Sequence, residues 1–314
     1  MARTEHGSLF VAGYTPGRID GAPALGGHDA FVTRLSPAGE REWTAQFGTD
    51  ADDYVYGAAS SPEGLVVVGY TKGAFQGETN AGLADAFVAL CADDGTPLWV
   101  RQWGTEGTDY AQAVHVDAAG DILVVGYTDG QLGPDGDRGA EDAFALKLTT
   151  AGEELWLRQW GSDTTDYALS VTTDAVLDVY VTGYTYGDIG ATPSGGGEDG
   201  YLSKLGADGE ALWTRQFGTL QRDSARSVAC DERGTVWVAG DTEGALTDEP
   251  AAGQRDAFLL GFDSAGERRA SVQWGSSGSE FVLATRARGG AVWAAGYSES
   301  SDHSRDTLLV KWRF

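Results

Sequence analysis

Residues 98–148 read LWVRQWGTEGTDYAQAVHVDAAGDILVVGYTDGQLGPDGDRGAEDAFALKL, and this stretch decides the fold because the rest of the chain repeats it. Its Gly-Tyr-Thr motif, or a close variant, recurs along the whole chain. The copies begin at Gly13, Gly69, Gly126, Gly183, Gly240 and Gly296, so they are 56 or 57 residues apart. A period of this length is typical of repeat architectures. We therefore expect one continuous array of similar units.

Each repeat contains four strand-like segments and no segment with a sustained helical period. The second segment, Ile122–Val125 in the quoted stretch, is almost wholly apolar. A strand with one face in water would alternate, so this segment is expected to be covered on both faces. Turns rich in Gly and Asp, such as Asp117–Gly120, join the segments as hairpins.

Four short antiparallel strands per repeat, in sheets that need a neighbour on each face, predict an all-β protein of the β-propeller class. We expect a single propeller domain over residues 1–314 with six blades and about 22 strands, the first blade lacking its innermost strand and the last its outermost strand. A five-bladed ring with a spare hairpin fits the same pattern. The predicted units are a half-repeat at 1–37 and repeats at 38–94, 95–151, 152–208, 209–265 and 266–314.

The composition excludes several partners and sites. The 314 residues carry a formal charge of −25, from 22 basic and 47 acidic residues, which would repel a nucleic acid. No apolar run approaches the roughly 18 residues that span a bilayer, and the first residues lack the apolar core of an export signal. Cys91 and Cys230 occupy non-equivalent repeat positions, which predicts isolated thiols. The four histidines share neither a repeat position nor a ligand spacing, which argues against zinc.

The motifs Asp-Ala-Phe-Val, Gly-x-x-x-Trp, Gln-Trp-Gly-Thr, Asp-Tyr and Val-x-Gly-Tyr-Thr resemble those of the SBBP family of bacterial beta-propeller repeats. The resemblance covers essentially all of the chain. Members of that family are typically predicted surface or secreted proteins without assigned chemistry. The resemblance therefore implies a recognition or scaffolding role, with a protein or glycan partner, and an extracytoplasmic location. Ala270 in place of the repeat Trp and a shortened last loop depart from the pattern.

Two columns of carboxylates recur in the repeats. One begins the first strand and the other begins the third strand: Asp53, Asp109, Asp166, Asp223 and Glu280, and Asp29, Asp85, Asp142, Asp199 and Asp256. A carboxylate at one place in every repeat usually caps a turn by accepting backbone N–H bonds. The alternative is calcium, which takes oxygen ligands and could use Asp135, Asp137, Glu141 and Asp142 in one loop. The capping interpretation predicts no cofactor, and calcium is the alternative.

The tryptophan column has two interpretations. Trp43, Trp99, Trp156 and Trp213 occupy equivalent fourth-strand positions. A large aromatic side chain between stacked sheets packs the core. A ligand-stacking role is the alternative, and it requires these side chains to lie on the surface.

The connection between the second and third strands has a constant length and repeated glycines. A tucked apolar residue recurs in it at Ile19, Phe75, Leu132, Ile189 and Leu246, which predicts an ordered Ω-loop. The tips vary, and a rigid frame with variable tips is typical of a binding surface. The candidate binding residues are Arg18, Asp20, Glu78, Asn80, Asp135, Arg138, Thr192, Ser194, Asp248 and Glu249. Unconstrained variation at solvent-facing tips is the alternative.

Two functions remain open from the sequence. The first is a non-catalytic surface module that binds a protein or glycan. The second is a calcium-dependent hydrolase of phosphoesters or glycosides, with carboxylates at the mouth of the propeller channel. A hydrolase must bring unlike polar groups to one point, whereas these acidic positions repeat evenly. The pattern therefore favours the recognition module.

Overall fold

The structure is a computed structural model that describes residues 2–3, 7–19, 21, 24–136, 138–190, 194–300 and 302–314. Within these ranges there are 23 β-strands and no helix. The strands form six sheets, in each of which neighbours in space are also neighbours in sequence. The chain divides into two compact units, one of residues 1–137 and 141–159 and the other of residues 138–140 and 160–314.

The first unit holds three sheets of four strands. Sheet 1 consists of β1 (Ala2–Arg3), β2 (Leu9–Thr15), β3 (Asp29–Leu35) and β4 (Arg41–Phe47). Sheet 2 consists of β5 (Asp53–Ser61), β6 (Gly64–Thr71), β7 (Asp85–Cys91) and β8 (Pro97–Trp103). Sheet 3 consists of β9 (Asp109–Val116), β10 (Ile122–Thr128), β11 (Asp142–Leu148) and β12 (Glu154–Trp160).

The second unit holds two sheets of four strands and one of three. Sheet 4 consists of β13 (Asp166–Thr173), β14 (Val179–Thr185), β15 (Asp199–Leu205) and β16 (Ala211–Phe217). Sheet 5 consists of β17 (Asp223–Cys230), β18 (Val236–Thr242), β19 (Asp256–Phe262) and β20 (Arg268–Trp274). Sheet 6 consists of β21 (Ser279–Arg288), β22 (Ala291–Glu299) and β23 (Arg305–Arg313).

The prediction of the first sheet was wrong by one strand. Sheet 1 has the innermost strand that the sequence pattern lacked, because Ala2 pairs with Phe10 and Arg3 with Leu9. Two residues are too few to show an alternating pattern, so no periodicity indicates this strand. The absence of a fourth strand from sheet 6, among the described residues, agrees with the prediction.

The apolar second strands are buried on both faces, as predicted. In β6, Val66 and Val68 lie in one cluster with Ile122 and Phe144 of sheet 3. The intervening Leu65 and Val67 lie in another cluster, with Phe10 and Val32 of sheet 1. Because successive side chains of a strand point to opposite faces, a continuous apolar run fits a sheet between two others.

The same double burial occurs in the second unit. Val236 and Val238 of β18 pack with Tyr180 and Leu202 of sheet 4. Trp237 and Ala239 pack instead with Val282, Val292 and Ala294 of sheet 6. Each of these cores therefore lies between two consecutive sheets, and the ends of the strands carry the polar residues.

The glycine of Gly-Tyr-Thr permits a bulge between the first two strands of each repeat. At Gly126 the register with β9 shifts, and a Cβ would collide with the carbonyl oxygen of Tyr110. Beyond the bulge, Tyr127 pairs with Tyr110 and Thr128 with Asp109. The bulge therefore sets which side chains face each other where the long loop begins.

Candidate functional site

A repeated amide holds the long loop to the start of the third strand. Gln102 Nε2 donates to Asp85 Oδ2 at 2.9 Å and to the carbonyl oxygen of Gly73 at 3.0 Å, while Gln102 Oε1 accepts from the N–H of Phe75 at 3.3 Å. Asp85 also accepts from the N–H of Ala81 at 2.8 Å. The amide contacts recur at Gln46, Gln159, Gln216 and Gln273. The turn-capping interpretation of these aspartates is confirmed.

The first-strand carboxylates cap a second turn. Asp109, which is fully buried, accepts from the N–H of Thr105 at 2.6 Å and from its hydroxyl at 3.1 Å. Equivalent N–H bonds join Thr49 to Asp53, Ser162 to Asp166, Thr219 to Asp223 and Ser276 to Glu280. These acids are therefore part of the framework that every repeat shares.

A backbone bridge brings two variable columns together. The N–H of Asp53 donates to the carbonyl oxygen of His28 at 2.7 Å, and the N–H of Asp223 donates to that of Glu198 at 2.7 Å. The residue before each third strand thus lies beside the residue before the next first strand. The pairs formed in this way are His28 with Asp52, Ala84 with Thr108, Glu198 with Arg222, and Arg255 with Ser279.

In the first unit the strand ends carry a row of contacting tyrosines. The tyrosine row comprises Tyr14, Tyr54, Tyr70, Tyr110 and Tyr127, whose successive ring centroids are 4.4, 4.8, 4.3 and 5.1 Å apart. Tyr56 extends it beside Tyr70, at 5.7 Å. Tyr14 and Tyr56 are each 46% exposed, whereas Tyr70 is buried. The row therefore connects the buried ring of Tyr70 to the accessible rings of Tyr14 and Tyr56.

The hydroxyl groups of Tyr70 and Tyr110 remain proton donors. Burial raises the pKa of Tyr70 and Tyr110, and the neighbouring tyrosines add to the effect at Tyr70. Neutral tyrosines offer an apolar ring face together with a hydroxyl that donates and accepts hydrogen bonds. This combination suits contact with partly polar partners.

An ion-paired group flanks one end of the row. His28 Nδ1 lies 3.0 Å from Asp52 Oδ1 and 3.0 Å from the Tyr54 hydroxyl, and Lys72 Nζ lies 3.0 Å from Asp52 Oδ2. The hydrogen bond from His28, with a further one from Lys72, lowers the pKa of Asp52 to about 2. Asp52 is therefore ionised near neutral pH and orients both basic side chains beside Tyr54.

In the second unit the same repeat positions hold an arginine cluster, defined as Arg222, Arg226 and Arg255 with Glu198, Asp241 and Glu243. Arg222 Nη2 lies 2.8 Å from Glu198 Oε2, and Arg255 bonds Asp241 at 2.9 Å and Glu243 at 2.5 Å. Arg226 is ion-paired with Asp241. The side chains of Glu198 and Asp241 are only 2% exposed.

The acids and bases of the cluster compensate one another. Burial opposes the charge on Arg226, but the hydrogen bond with Asp241 outweighs it and raises the pKa of the guanidinium group. The Ser224 hydroxyl and the Tyr186 hydroxyl both donate to Glu198. The result is a closed network of three acids and three bases, without excess charge to attract a ligand.

The predicted loop residues have unequal surroundings. Of the predicted tucked apolar residues, Phe75 and Leu246 are buried, whereas Ile19, Leu132 and Ile189 are half-buried. Glu78 accepts from the N–H of Gln102 at 3.3 Å, and Asp135 accepts from that of Gln159 at 3.2 Å, so both cover N–H groups of outer strands. Asn80 donates to the carbonyl oxygen of Lys72 at 3.2 Å. A binding role for these three remains a prediction, although each also holds its own repeat together.

The other candidate residues lie at loop tips or outside the described residues. Arg18, Arg138, Asp248 and Glu249 are exposed, and Ser194 bonds within its own loop through its N–H to Asp188 at 2.6 Å. Asp20 and Thr192 lie outside the described residues. The binding role of the loop tips therefore stays a prediction.

The calcium hypothesis also stays a prediction. Asp142 is buried and accepts from Gln159 Nε2 at 2.9 Å, so one of its oxygens serves the framework. Asp135 and Glu141 are at the same loop, and Asp137 lies outside the described residues. Within the residues that the structure describes, no group of three or more His, Cys, Asp or Glu side chains is arranged to hold a metal.

The tryptophan and cysteine predictions agree with the structure. Trp156 is 8% exposed, and Trp99 Nε1 donates to the carbonyl oxygen of Thr150 at 3.1 Å, as expected of packing residues. Cys91 and Cys230 are free thiols. Burial raises the pKa of the Cys91 thiol to about 12, which keeps it unreactive.

Both strand-end clusters go beyond the sites predicted from the sequence. In sheet 5, Ser224 and Asp241 occupy the positions at which sheets 2 and 3 have cross-strand tyrosine pairs. Arg226 occupies the position of Tyr56 in sheet 2. The loss of both aromatic residues from a cross-strand pair that is aromatic in sheets 2, 3, 4 and 6 is the signal of a special site. That signal is visible only when the repeats are aligned on the framework carboxylates.

Comparison with known proteins shows the fold. No family model matches the chain. A curated relative, "Regulatory protein FlaEY" of Caulobacter vibrioides, is 27% identical over 141 residues, which cover 41% of this chain and 15% of that protein. Far less than two thirds of that relative is therefore spanned by this chain.

Among solved structures, the WD40 domain of Neurospora crassa Pan2 is similar, with 11% identity, a TM-score of 0.56 and coverage of 98% of this chain and 77% of that chain. The PQQ-bound aldose sugar dehydrogenase of Streptomyces coelicolor has 12% identity, a TM-score of 0.47 and coverage of 98% and 99%. No helix in the described residues is long and apolar enough to cross a membrane. The six antiparallel sheets and the likeness to the WD40 domain show an all-β chain with the β-propeller fold.

Proposed function

We propose that the chain is a non-catalytic recognition module of a bacterial surface or secreted protein, of the SBBP type that its motifs resemble, and that it binds a protein or glycan partner. The observation that carries this proposal is the tyrosine row. Five tyrosine rings touch in sequence, and the accessible members lie at the strand ends where the repeats differ from one another.

Tyrosine suits this role because its ring gives a large contact area with few rotatable bonds. Tyrosine is enriched at interaction hot spots and in antibody paratopes for the same reason. The row is also preorganised, because Tyr70 is buried and its neighbours pack against it. A partner would therefore meet an ordered surface and lose little binding energy in ordering it.

The loops that follow the row can widen this surface. Each begins immediately after the strand end that carries a tyrosine of the Gly-Tyr-Thr motif, so Lys72 directly follows Tyr70 and Thr71 in the chain. The tyrosine row supplies the anchor, and the loop tips supply contacts that differ from repeat to repeat. Several weak contacts of this kind add through avidity.

The test uses arrays of glycans and of bacterial envelope proteins. The variant Tyr14→Ser/Tyr56→Ser removes the two most exposed rings without opening the core. Its matched control is Leu283→Ser, because Leu283 occupies the repeat position of Tyr56 in sheet 6 and is 54% exposed. The proposal expects binding that the tyrosine variant loses and the control retains. Equal binding by the parent and a folded tyrosine variant would refute it.

A calcium-dependent hydrolase is the second candidate, because unlike polar groups do converge in the arginine cluster. Glu198 and Asp241 lie near Ser224 and three arginines. Every acid there is ion-paired with a guanidinium group, which favours a structural role. Turnover of phosphoester or glycoside substrates that a chelator abolishes, and that Glu198→Gln removes, would establish the hydrolase instead.

A further inference from the structure

Buried carboxylates lie in pairs at the junctions between sheets. Two such carboxyl pairs are Asp85 with Asp109 in the first unit and Asp199 with Asp223 in the second unit. All four side chains are fully buried. Within each pair, the third-strand acid of one sheet faces the first-strand acid of the next, because the backbone bridge between the two strands aligns them.

The hydrogen bonds around each pair are one proton short. Asp85 Oδ2 accepts from Ala81 and Gln102, but in the described residues no donor lies within hydrogen-bond distance of Asp85 Oδ1. Asp199 repeats this arrangement among the same residues, with Oδ2 bonded to Gly195 and Gln216 and with Oδ1 unpartnered. A buried carboxylate oxygen without a donor is costly.

The neighbouring acid of each pair has donors for both of its oxygens. Asp109 Oδ2 accepts from Thr105 and Asp109 Oδ1 accepts from the Thr128 hydroxyl at 2.5 Å. Asp223 is bonded in the same way by Thr219 and Thr242. One additional proton per pair, on Asp85 or Asp199, would remove the need for a donor at the unpartnered Oδ1.

The electrostatic surroundings also favour one proton. The charged group that faces Asp109 is Asp85 of β7, whereas β10 and the turn before β9 present the neutral groups of Thr128 and Thr105. Asp223 is likewise faced by Asp199 of β15 and by the neutral Thr242 and Thr219. Burial, with the adjacent negative charge, raises the pKa of Asp109 and of Asp223. Two like charges in one buried site disfavour double ionisation.

We propose that each carboxyl pair binds one proton in the folded chain at a pH at which the unfolded chain has already released it. Each pair then carries a single negative charge. Folding takes up one proton per pair, so the fold is stabilised by acid. Since Tyr110 follows Asp109 directly and belongs to the tyrosine row, loss of the proton would destabilise the part of the row around Tyr110.

The sign of the pH dependence follows from the raised pKa. The contribution of each pair to stability is fully present below the ordinary aspartate value of 3.8 and is lost as the pH rises through the higher folded-state value. Over that window the unfolding equilibrium constant increases by up to about tenfold per pH unit for each pair. Acids whose folded-state pKa is lowered, such as Asp52, cannot give this window, because their contribution to stability is lost as the pH falls.

The experiment compares denaturant unfolding of the parent and of Asp109→Asn/Asp223→Asn from about pH 4 to about pH 8. Asparagine imitates the protonated carboxyl and cannot ionise. The matched control is Asp248→Asn/Asp208→Asn, which removes the same charge from exposed positions. The proposal expects the parent and the control to lose stability with rising pH, and the pair variant to lose markedly less. Parallel pH profiles for all three proteins would overturn it.

Two further measurements decide between the outcomes if the pair variant does not fold. Infrared spectra of the folded parent at about pH 5.5, where free aspartate is ionised, are expected to show a protonated carboxyl band that disappears on unfolding at the same pH. Absence of that band would overturn the proposal. Calcium at about pH 8 is added to a variant that lacks the predicted loop site, Asp135→Asn/Glu141→Gln, and is expected to leave its stability unchanged; stabilisation of this variant by calcium would show that a cation, and no proton, occupies the pairs.

Discussion

The tyrosine row and the arginine cluster occupy equivalent repeat positions and differ in chemistry. Tyr54 pairs across the strands with Tyr70, and Tyr110 with Tyr127, while in sheet 5 Ser224 pairs with Asp241. Both clusters lie on the same framework, in which a glutamine amide donates to the capping aspartate of the third strand. The backbone framework determines which side chains contact each other at the strand ends. The residues at the cross-strand pair determine whether those contacts are aromatic or ionic.

The difference extends to how each cluster meets solvent. The tyrosine row leaves two rings nearly half exposed, whereas Glu198 and Asp241 of the arginine cluster are almost fully buried beside their guanidinium partners. An accessible aromatic surface can release water on contact with a partner. A compensated ion-pair network has little to gain from a ligand, since its donors and acceptors are already used. We therefore propose that the row serves recognition and that the cluster serves stability.

The largest effect is expected when the arginine cluster loses one partner. Asp241→Ala leaves Arg226 and Arg255 without their shared acid, and breaking a buried ion pair from one side costs about 3 to 5 kcal/mol. Denaturant unfolding measures this loss. The combined variant Ser224→Tyr/Arg226→Gln/Asp241→Tyr restores the aromatic pattern of the other repeats and should be clearly more stable than Asp241→Ala. A loss below about 1 kcal/mol for Asp241→Ala would contradict the structural role.

A loss of stability of intermediate size is expected when a glutamine of the shared framework is removed, and the loss should be equal in the two units. Gln102→Ala in the first unit and Gln216→Ala in the second each remove a side-chain amide that bonds an aspartate and a loop carbonyl. Each loss leaves a buried carboxylate and a loop N–H less satisfied, which costs about 1 to 3 kcal/mol. Thermal or denaturant unfolding provides the measurement. Clearly unequal losses would show that the two units do not share one framework energetically.

The smallest effect concerns the exposed pair beside the tyrosine row. The lowered pKa of Asp52 means that its interactions with His28 and Lys72 stabilise the fold above about pH 3.8 and weaken as the pH falls through about 2. Lys72→Met should cost less than about 1 kcal/mol near neutral pH, and the difference from the parent should shrink as the pH falls through about 2. Lys311→Met is the control for loss of one exposed charge. A difference that persists undiminished near pH 2 would exclude the pair as its source.

The strands, the loops and the double burial could be predicted because each repeats about five times. An apolar run such as Leu65–Val68 has one physical explanation, and five copies remove the ambiguity of a single segment. The two-residue strand Ala2–Arg3 has no pattern to repeat and was missed. The capping role of Asp85 was predictable, since a carboxylate at a turn usually accepts N–H bonds.

The strand-end clusters could not be predicted from spacing alone. Arg226 and Asp241 are 15 residues apart and meet because β17 and β18 pair with a bulge between Ala225 and Ser227. Glu198 reaches Arg222 through a backbone bridge between two sheets, which no local pattern reveals. The role of Gln102 was also missed, because a polar residue next to a tryptophan suggested only the end of a strand.

The central claim, recognition through the tyrosine row, is tested most directly by hydrogen–deuterium exchange with and without the partner that the glycan and envelope-protein arrays select. Binding at the row predicts slower exchange at the strand starts around residues 54–56 and 110–112, where the row is anchored. Exchange around residues 222–226 of the arginine cluster should be unchanged. Protection confined to the loop tips near residues 76–80 and 246–249, or to the arginine cluster, with none at the tyrosine strands, would contradict recognition through the row.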